Sequence, residues 1–74
     1  MISFCLKQDF IELYKLLKHL NLVESGGQAK EFIACGQVQV NGQVETRKAY
    51  KVRSGDRIHF NGEEILVTSD QSSA

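Results

Sequence analysis

The hydrophobic period of this chain changes at Gly36, and that change constrains the fold more than any other feature of its 74 residues. Before Gly36 the apolar residues recur at helical spacing, and after it they alternate. Phe10, Leu13, Tyr14, Leu17 and Leu20 form an i, i+3, i+4 stripe that Leu16 widens, with Glu12, Lys15, Lys18 and His19 opposite. Asp9 is placed to cap this first helix. Ile11 falls outside the stripe and is expected to be partly exposed, and the stretch from Asn21 to Glu24 breaks the pattern. Ser25-Gly26-Gly27-Gln28 then has the form of a capping box. It opens a shorter helix that buries Ala29, Phe32 and Ile33, and Gly36 ends that helix in a left-handed conformation.

Beyond Gly36, Val38 and Val40 alternate with Gln37 and Gln39, and Asn41-Gly42 signals a turn. The run from Ile58 to Gly62 repeats the arrangement. There a two-residue turn pairs Phe60 with Glu63 and Ile58 with Ile65, keeping the apolar residues on one face. The same turn at Asn41-Gly42 would put Val44 on the face opposite Val38 and Val40, so a longer loop or an irregular second strand is expected. Ser54-Gly55-Asp56 is another turn, and residues 69–74 read as a disordered polar tail. The expected class is α+β, with two amino-terminal helices packed on a small, mostly antiparallel sheet in a single domain over residues 1–68.

This length leaves no room for separate cofactor and substrate domains, while 42% hydrophobic and 24% charged residues exclude a disordered chain. No phosphate-binding loop, zinc-protease helix or dinucleotide fingerprint occurs. His19 and His59 have no nucleophile motif beside them, and Glu63-Glu64 adjoins a turn, where a solvated edge explains it. No catalytic residues, no metal ligands and no cofactor are expected, and the chain is expected not to be an enzyme. Cys5 and Cys35 are isolated, without the clustering a zinc site requires, and read as reduced thiols. No stretch approaches the ~18–20 apolar residues that span a bilayer. A cytoplasmic protein without a membrane partner is expected.

Nine basic residues balance nine acidic ones, but unevenly. Between Arg47 and Arg57 five basic residues (Arg47, Lys48, Lys51, Arg53 and Arg57) face one acid, Asp56, so the rest of the chain carries net −4. A neutral protein with a one-sided basic stretch still attracts a polyanion locally. Tyr50, inside this stretch, either packs in the core or is offered for stacking. Helix amino termini present unpaired N–H groups with partial positive charge. Gly26 and Gly27 leave those groups sterically open, and Lys30 lies one turn above Gly26. The competing reading is that Ser25 and Gln28 satisfy the donors and the glycines merely permit close packing.

The stretch from Leu13 to Val67 resembles the S4 RNA-binding domain. The residues that carry the likeness are Ser25 with Ala29, the run Ile33-Ala34-Cys35-Gly36-Gln37-Val38-Gln39-Val40-Asn41-Gly42, and Gly55-Asp56-Arg57-Ile58. Within that superfamily it is most similar to small free-standing bacterial S4-like proteins, in which the domain is nearly the whole chain. The resemblance implies the S4-like αL motif and binding to structured RNA of the ribosomal or transfer class. Contacts are implied at Ser25, Gly26 and Lys30 and at the turn of Asn41 and Gly42. Many S4 domains place an arginine directly after the serine, where this chain has Gly26. Lys30 and the Arg47–Arg53 cluster are expected to take over that phosphate contact.

The leading expectation is therefore a monomeric, non-enzymatic RNA-binding module acting in ribosome assembly or translation. Its expected contacts are Ser25, Gly26, Gly27, Lys30, Asn41, Gly42, Arg47, Lys48, Lys51 and Arg53. The alternative is a protein-interaction module that docks on a larger ribonucleoprotein complex. A third reading, a thiol redox protein, needs Cys5 and Cys35 to meet.

Overall fold

The computed structural model describes residues 1–69. Its elements run β1 (Ile2–Leu6), β2 (Ile11–Glu12), α1 (Leu13–His19), α2 (Gly26–Ala34), β3 (Val38–Val40), β4 (Gln43–Val44), β5 (Lys51–Val52), β6 (Arg57–Phe60) and β7 (Glu63–Ser69). Five strands form one sheet in the order β1-β7-β6-β3-β4, and β2 pairs with β5 in a separate two-stranded ribbon. Of the tail expected from residue 69, Ser69 ends β7, and residues 70–74 lie outside the described residues.

The class is α+β, but the expected arrangement is corrected in two respects. The helices are not amino-terminal, because β1 precedes them, and the sheet is mixed, because β1 pairs parallel to β7. Ile2, Phe4 and Leu6 alternate with Ser3 and Cys5, which is itself a strand period. The register sets Ile2 beside Ile65 and Phe4 beside Val67. Leu6 is buried, and Ile2 and Phe4 pack against the core. Such a short apolar stretch buries its face only by pairing with the other end of the chain, a contact that local spacing does not display.

The first helix also starts later than expected. Residues Ile11 and Glu12 are extended because they pair antiparallel with Val52 and Lys51. Glu12, not Asp9, stands at the cap position, and its side chain makes no capping bond. Leu13, Leu16 and Leu17 are fully buried, whereas Tyr14 and Leu20 are half-buried against the core. Asn21, at φ 59°, turns the chain out of α1.

The second helix follows its sequence closely. The Ser25 hydroxyl accepts from the Gln28 N–H at 3.1 Å. Ala29 and Ile33 are buried, whereas Phe32, expected beside them, is only half-buried against the core. At the other end Gly36, at φ 79°, lets its own N–H reach the Ile33 carbonyl (3.0 Å) and the Gln37 N–H reach the Phe32 carbonyl (3.1 Å). These two bonds close a Schellman motif. The β6–β7 hairpin has the expected register, Phe60 opposite Glu63 and Ile58 opposite Ile65. The first hairpin does not lengthen: Val40 pairs with Gln43 and Gln39 with Val44 across a two-residue turn. Asn41 (φ 53°) and Gly42 (φ 85°) supply the two left-handed residues that a tight hairpin favours. The cost is that Val44 is 56% exposed, which a strand of two residues tolerates at a single position.

Both helices and both halves of the sheet contribute to one buried cluster, from Leu6 and Leu13 through Ile33 and Val38 to Ile65 and Val67. If β1 belongs to this cooperative unit, Leu6→Ala lowers stability by about 2–5 kcal/mol. Cys5→Ala, on the exposed side of the same strand, changes it by less than about 0.5 kcal/mol. Urea unfolding measures both.

Candidate nucleic-acid interface

The four amino-terminal N–H groups of a helix need acceptors. At α1, where no side chain caps, the segment between β4 and β5 supplies two of them. The Leu13 N–H donates to the Tyr50 carbonyl at 2.9 Å and the Tyr14 N–H to the Lys48 carbonyl at 3.2 Å. The same segment is anchored behind by the Glu45 N–H on the Val38 carbonyl (3.0 Å) and turns tightly through the Tyr50 N–H on the Arg47 carbonyl (3.1 Å). Ahead, Val52 is fully buried in the β2–β5 ribbon. A run of mostly exposed basic side chains is thus carried on backbone fixed at both ends and in its middle.

That placement joins residues distant in sequence. Lys30 on α2 lines a groove of about 860 Å³ with Arg47, Lys48, Lys51, Arg53 and Tyr50. Only one of these cations is ion-paired among the described residues. The Glu45 carboxylate accepts from the Arg47 backbone N–H (3.0 Å), Nε (2.9 Å) and Nη2 (3.3 Å). The side-chain bond to Arg47 is the main cause that holds the Glu45 carboxyl below its ordinary range, and the same bond raises the Arg47 guanidinium. Burial, then the Asp56 and Glu45 charges, push the Tyr50 hydroxyl up.

Asp56 is the acid in the groove lining, and hydrogen bonds occupy both of its oxygens. Oδ2 accepts from the Arg53 N–H (2.9 Å) and Oδ1 from Asn41 Nδ2 (3.1 Å). Asn41 Oδ1 in turn accepts from the Arg57 N–H at 3.0 Å. The amide of Asn41 therefore ties two turns together, and Asn41 and Gly42 do not line the groove. Among the described residues nothing beyond its own chain neighbours stands within 4 Å of where a Cβ on Gly42 would lie. Arg57, part of the basic run in sequence, is elsewhere: its Nη1 lies 3.3 Å from Glu64 Oε2, beside His59 on β6.

Ser25, Gly26 and Gly27 lie outside the groove lining, and Gly26 faces the Tyr14 ring over which Lys30 stands. A Cβ on Gly26 would sit 3.8 Å from the Tyr14 ring, an ordinary contact, and one on Gly27 would meet only the Ser25 hydroxyl at 3.9 Å. Neither glycine has positive φ. Close helix packing and backbone strain thus explain neither glycine. The Gln28 side chain accepts from the Glu24 N–H at 2.7 Å, one residue before the cap, so the Ser25 and Gln28 side chains are engaged without using the N–H groups of Gly26 and Gly27.

Phe10 and Tyr14, whose rings lie under Lys51 and Lys30, and Glu45, which pairs with Arg47, were not among the expected site residues, since the first two read as helix stripe and the third lies outside the basic run. Among the described residues no helix is long and apolar enough to cross a membrane, and no group of three or more His, Cys, Asp and Glu could hold a metal ion. Cys5 and Cys35 are both free and exposed.

The S4 domain family model matches residues 4–68. The chain belongs to the S4 domain family. It is 46% identical over 70 residues to Escherichia coli (strain K12) "Putative RNA-binding protein YbcJ", covering 93% of this chain and 100% of that one. It is 33% identical over 54 residues to Bacillus subtilis (strain 168) "Probable ribosome maturation protein RlbA", covering 73% of this chain and 76% of that one. The solution structure of E. coli YbcJ, described as revealing an αL motif involved in RNA binding, superposes with a TM-score of 0.71 over 92% of this chain and 87% of that chain. The 30S ribosomal protein S4e of Thermoplasma acidophilum matches with a TM-score of 0.64 and 29% identity, over 78% of this chain and 31% of that one. In this S4 domain the Asn-Gly turn and the Gly-Asp turn are the two that the Asn41–Asp56 bond joins.

The Glu45–Arg47 pair gives the site a pH signature. The pair is intact above the ordinary carboxylate range and is lost as pH falls through the lowered Glu45 value. In carboxyl-detected NMR, Glu45 of the native protein titrates below Glu45 of the Arg47→Gln variant; equal midpoints would show that the pair does not form.

Proposed function

We propose that this chain is a non-enzymatic RNA-binding protein, acting as a single S4 domain over residues 1–68. It holds structured RNA of the ribosomal or transfer class by its phosphates, in the cytoplasm, during ribosome assembly or translation. The observation that carries this reading is the convergence of Lys30 from α2 with Lys48, Lys51 and Arg53 in one groove. None of these four is neutralised by an ion pair among the described residues. Arg47 adds a fifth cation whose charge Glu45 offsets. Phosphate contacts of this kind set register on an RNA without reading its sequence. The names of the two bacterial relatives, one for RNA binding and one for ribosome maturation, support the ligand class and the process.

Ser25, Gly26 and Gly27 extend the surface: the free N–H groups of the two glycines donate to a further phosphate oxygen beside Lys30. Asn41 and Gly42 offer backbone at a turn, the Asn41 amide being engaged internally. Lys30 and the Arg47–Arg53 cluster do the work that an arginine at position 26 does in many S4 domains.

Fluorescence anisotropy with labelled ribosomal RNA fragments and transfer RNA tests this. With four to five phosphates contacted, log affinity falls against log salt with a slope of roughly −3 to −4.5. The combined variant Arg47→Glu, Lys48→Glu, Lys51→Glu, Arg53→Glu, shown folded by circular dichroism, loses that dependence together with the binding. Flat or absent binding by the native protein refutes the reading and favours docking on a protein surface. Gly26→Arg leaves affinity within about twofold if Lys30 and the cluster already make the contact; a large gain refutes that compensation.

A further inference from the structure

We infer that the rings of Phe10, Tyr14 and Tyr50 are positioning residues for the groove's cations, and that they engage RNA through those cations instead of stacking on its bases. This rests on the RNA-binding reading and adds to it the kind of RNA and the role of three residues outside the phosphate contacts.

Three of the groove's cations each stand over a ring, and of those rings Tyr50 itself lines the groove. Lys30 Nζ lies 4.7 Å from the centroid of Tyr14, Lys51 Nζ 5.0 Å from that of Phe10, and Arg47 Cζ 5.5 Å from that of Tyr50. All fall within the ~6 Å over which a ring face attracts a cation. Two of the three pairs, Lys30 with Tyr14 and Lys51 with Phe10, join residues distant in sequence. Phe10 precedes β2, Tyr14 belongs to the first turn of α1, and Tyr50 closes the basic segment, while their cations come from α2, β5 and that segment. Tyr14 and Tyr50 are half-buried and pack against the core. Each of these two rings has one side committed to the protein interior and another to a cation, which leaves little free surface for a base.

Free lysine and arginine side chains populate many rotamers, and fixing them on a ligand costs entropy. A ring beneath the charge narrows that distribution before binding, which improves affinity without adding a contact. Cations held at fixed separations match phosphates held at fixed separations. A helical stem presents such a row, whereas an unstructured strand does not. The ligand that fits is thus the phosphate backbone of a double-helical RNA segment.

Native protein is titrated with an RNA hairpin and with unstructured oligouridylate of equal length, beside Phe10→Leu, Tyr14→Leu, Tyr50→Leu and Tyr14→Phe. Each leucine variant is expected to weaken hairpin binding about 2–5-fold. The slope of log affinity against log salt stays unchanged because no cation is lost, whereas Lys30→Ala lowers it by about 0.9. Tyr14→Phe keeps a ring and binds as the native protein does. In the free protein the Lys30 side-chain protons show a ring-current shift that Tyr14→Leu abolishes and Tyr14→Phe retains. This readout separates positioning from a general loss of stability.

Leucine variants that bind the hairpin with native affinity, or that lose oligouridylate binding more than hairpin binding, overturn the inference; the second result assigns the rings to stacking. Failure of the native protein to bind either RNA instead refutes the RNA reading itself.

Discussion

A helix that begins without a side-chain cap must find other acceptors for its first N–H groups. In α1 those acceptors are the carbonyls of Lys48 and Tyr50. This one requirement fixes the middle of a segment that is otherwise exposed, and the basic side chains on that segment thereby come to lie beside α2. The β2–β5 ribbon follows from the same arrangement, since residues that lead into α1 and residues that leave the segment run antiparallel at its base. Without these bonds Lys30 and Arg47–Arg53 would be scattered charges on a neutral protein. With them the chain has a basic groove.

The sheet serves the groove from the other side. Asp56 receives the Arg53 N–H and the Asn41 amide, so the far end of the basic segment is held to the β3–β4 turn. A carboxylate placed among cations would weaken attraction for a polyanion. Here both of its oxygens are engaged by the protein's own donors, and its contribution is to shape the backbone. Arg57 is withdrawn to the sheet surface and paired with Glu64, so the number of basic residues in the sequence run overstates the charge of the site. Glu45 acts in the same direction on Arg47. The total of zero conceals the groove, and the count over the basic run overstates it.

Features set by a few neighbouring residues were legible in the sequence. The Ser25 cap, the Gly36 terminus and the β6–β7 register each depend on side chains or left-handed residues within one or two turns of one another. Features set by distant pairing were not. The alternation of Ile2, Phe4 and Leu6 was visible, but its partner β7 lies at the opposite end of the described chain. Asp9 has the right chemistry for a cap, yet pairing of Ile11 and Glu12 with β5 keeps the chain extended past it. At Val44 the turn preference of Asn41-Gly42 outweighed the burial of one side chain. At the candidate site the cations and Tyr50 were readable as residue types, but the rings of Phe10 and Tyr14 beneath two of the lysines were not. Phe10 and Tyr14 carry the helical spacing of core residues, and nothing local tells which side of such a ring meets a lysine.

The central claim is that the groove between α2 and the segment from Thr46 to Arg53 is where RNA lies. Amide chemical-shift mapping of the isotope-labelled protein titrated with a ribosomal RNA hairpin tests it most directly. Shifts concentrated at residues 46–53, at Lys30 and at Gly26 and Gly27 are the expected result. Shifts concentrated instead on the opposite sheet surface, at Gln39, His59 and Glu64, would contradict it.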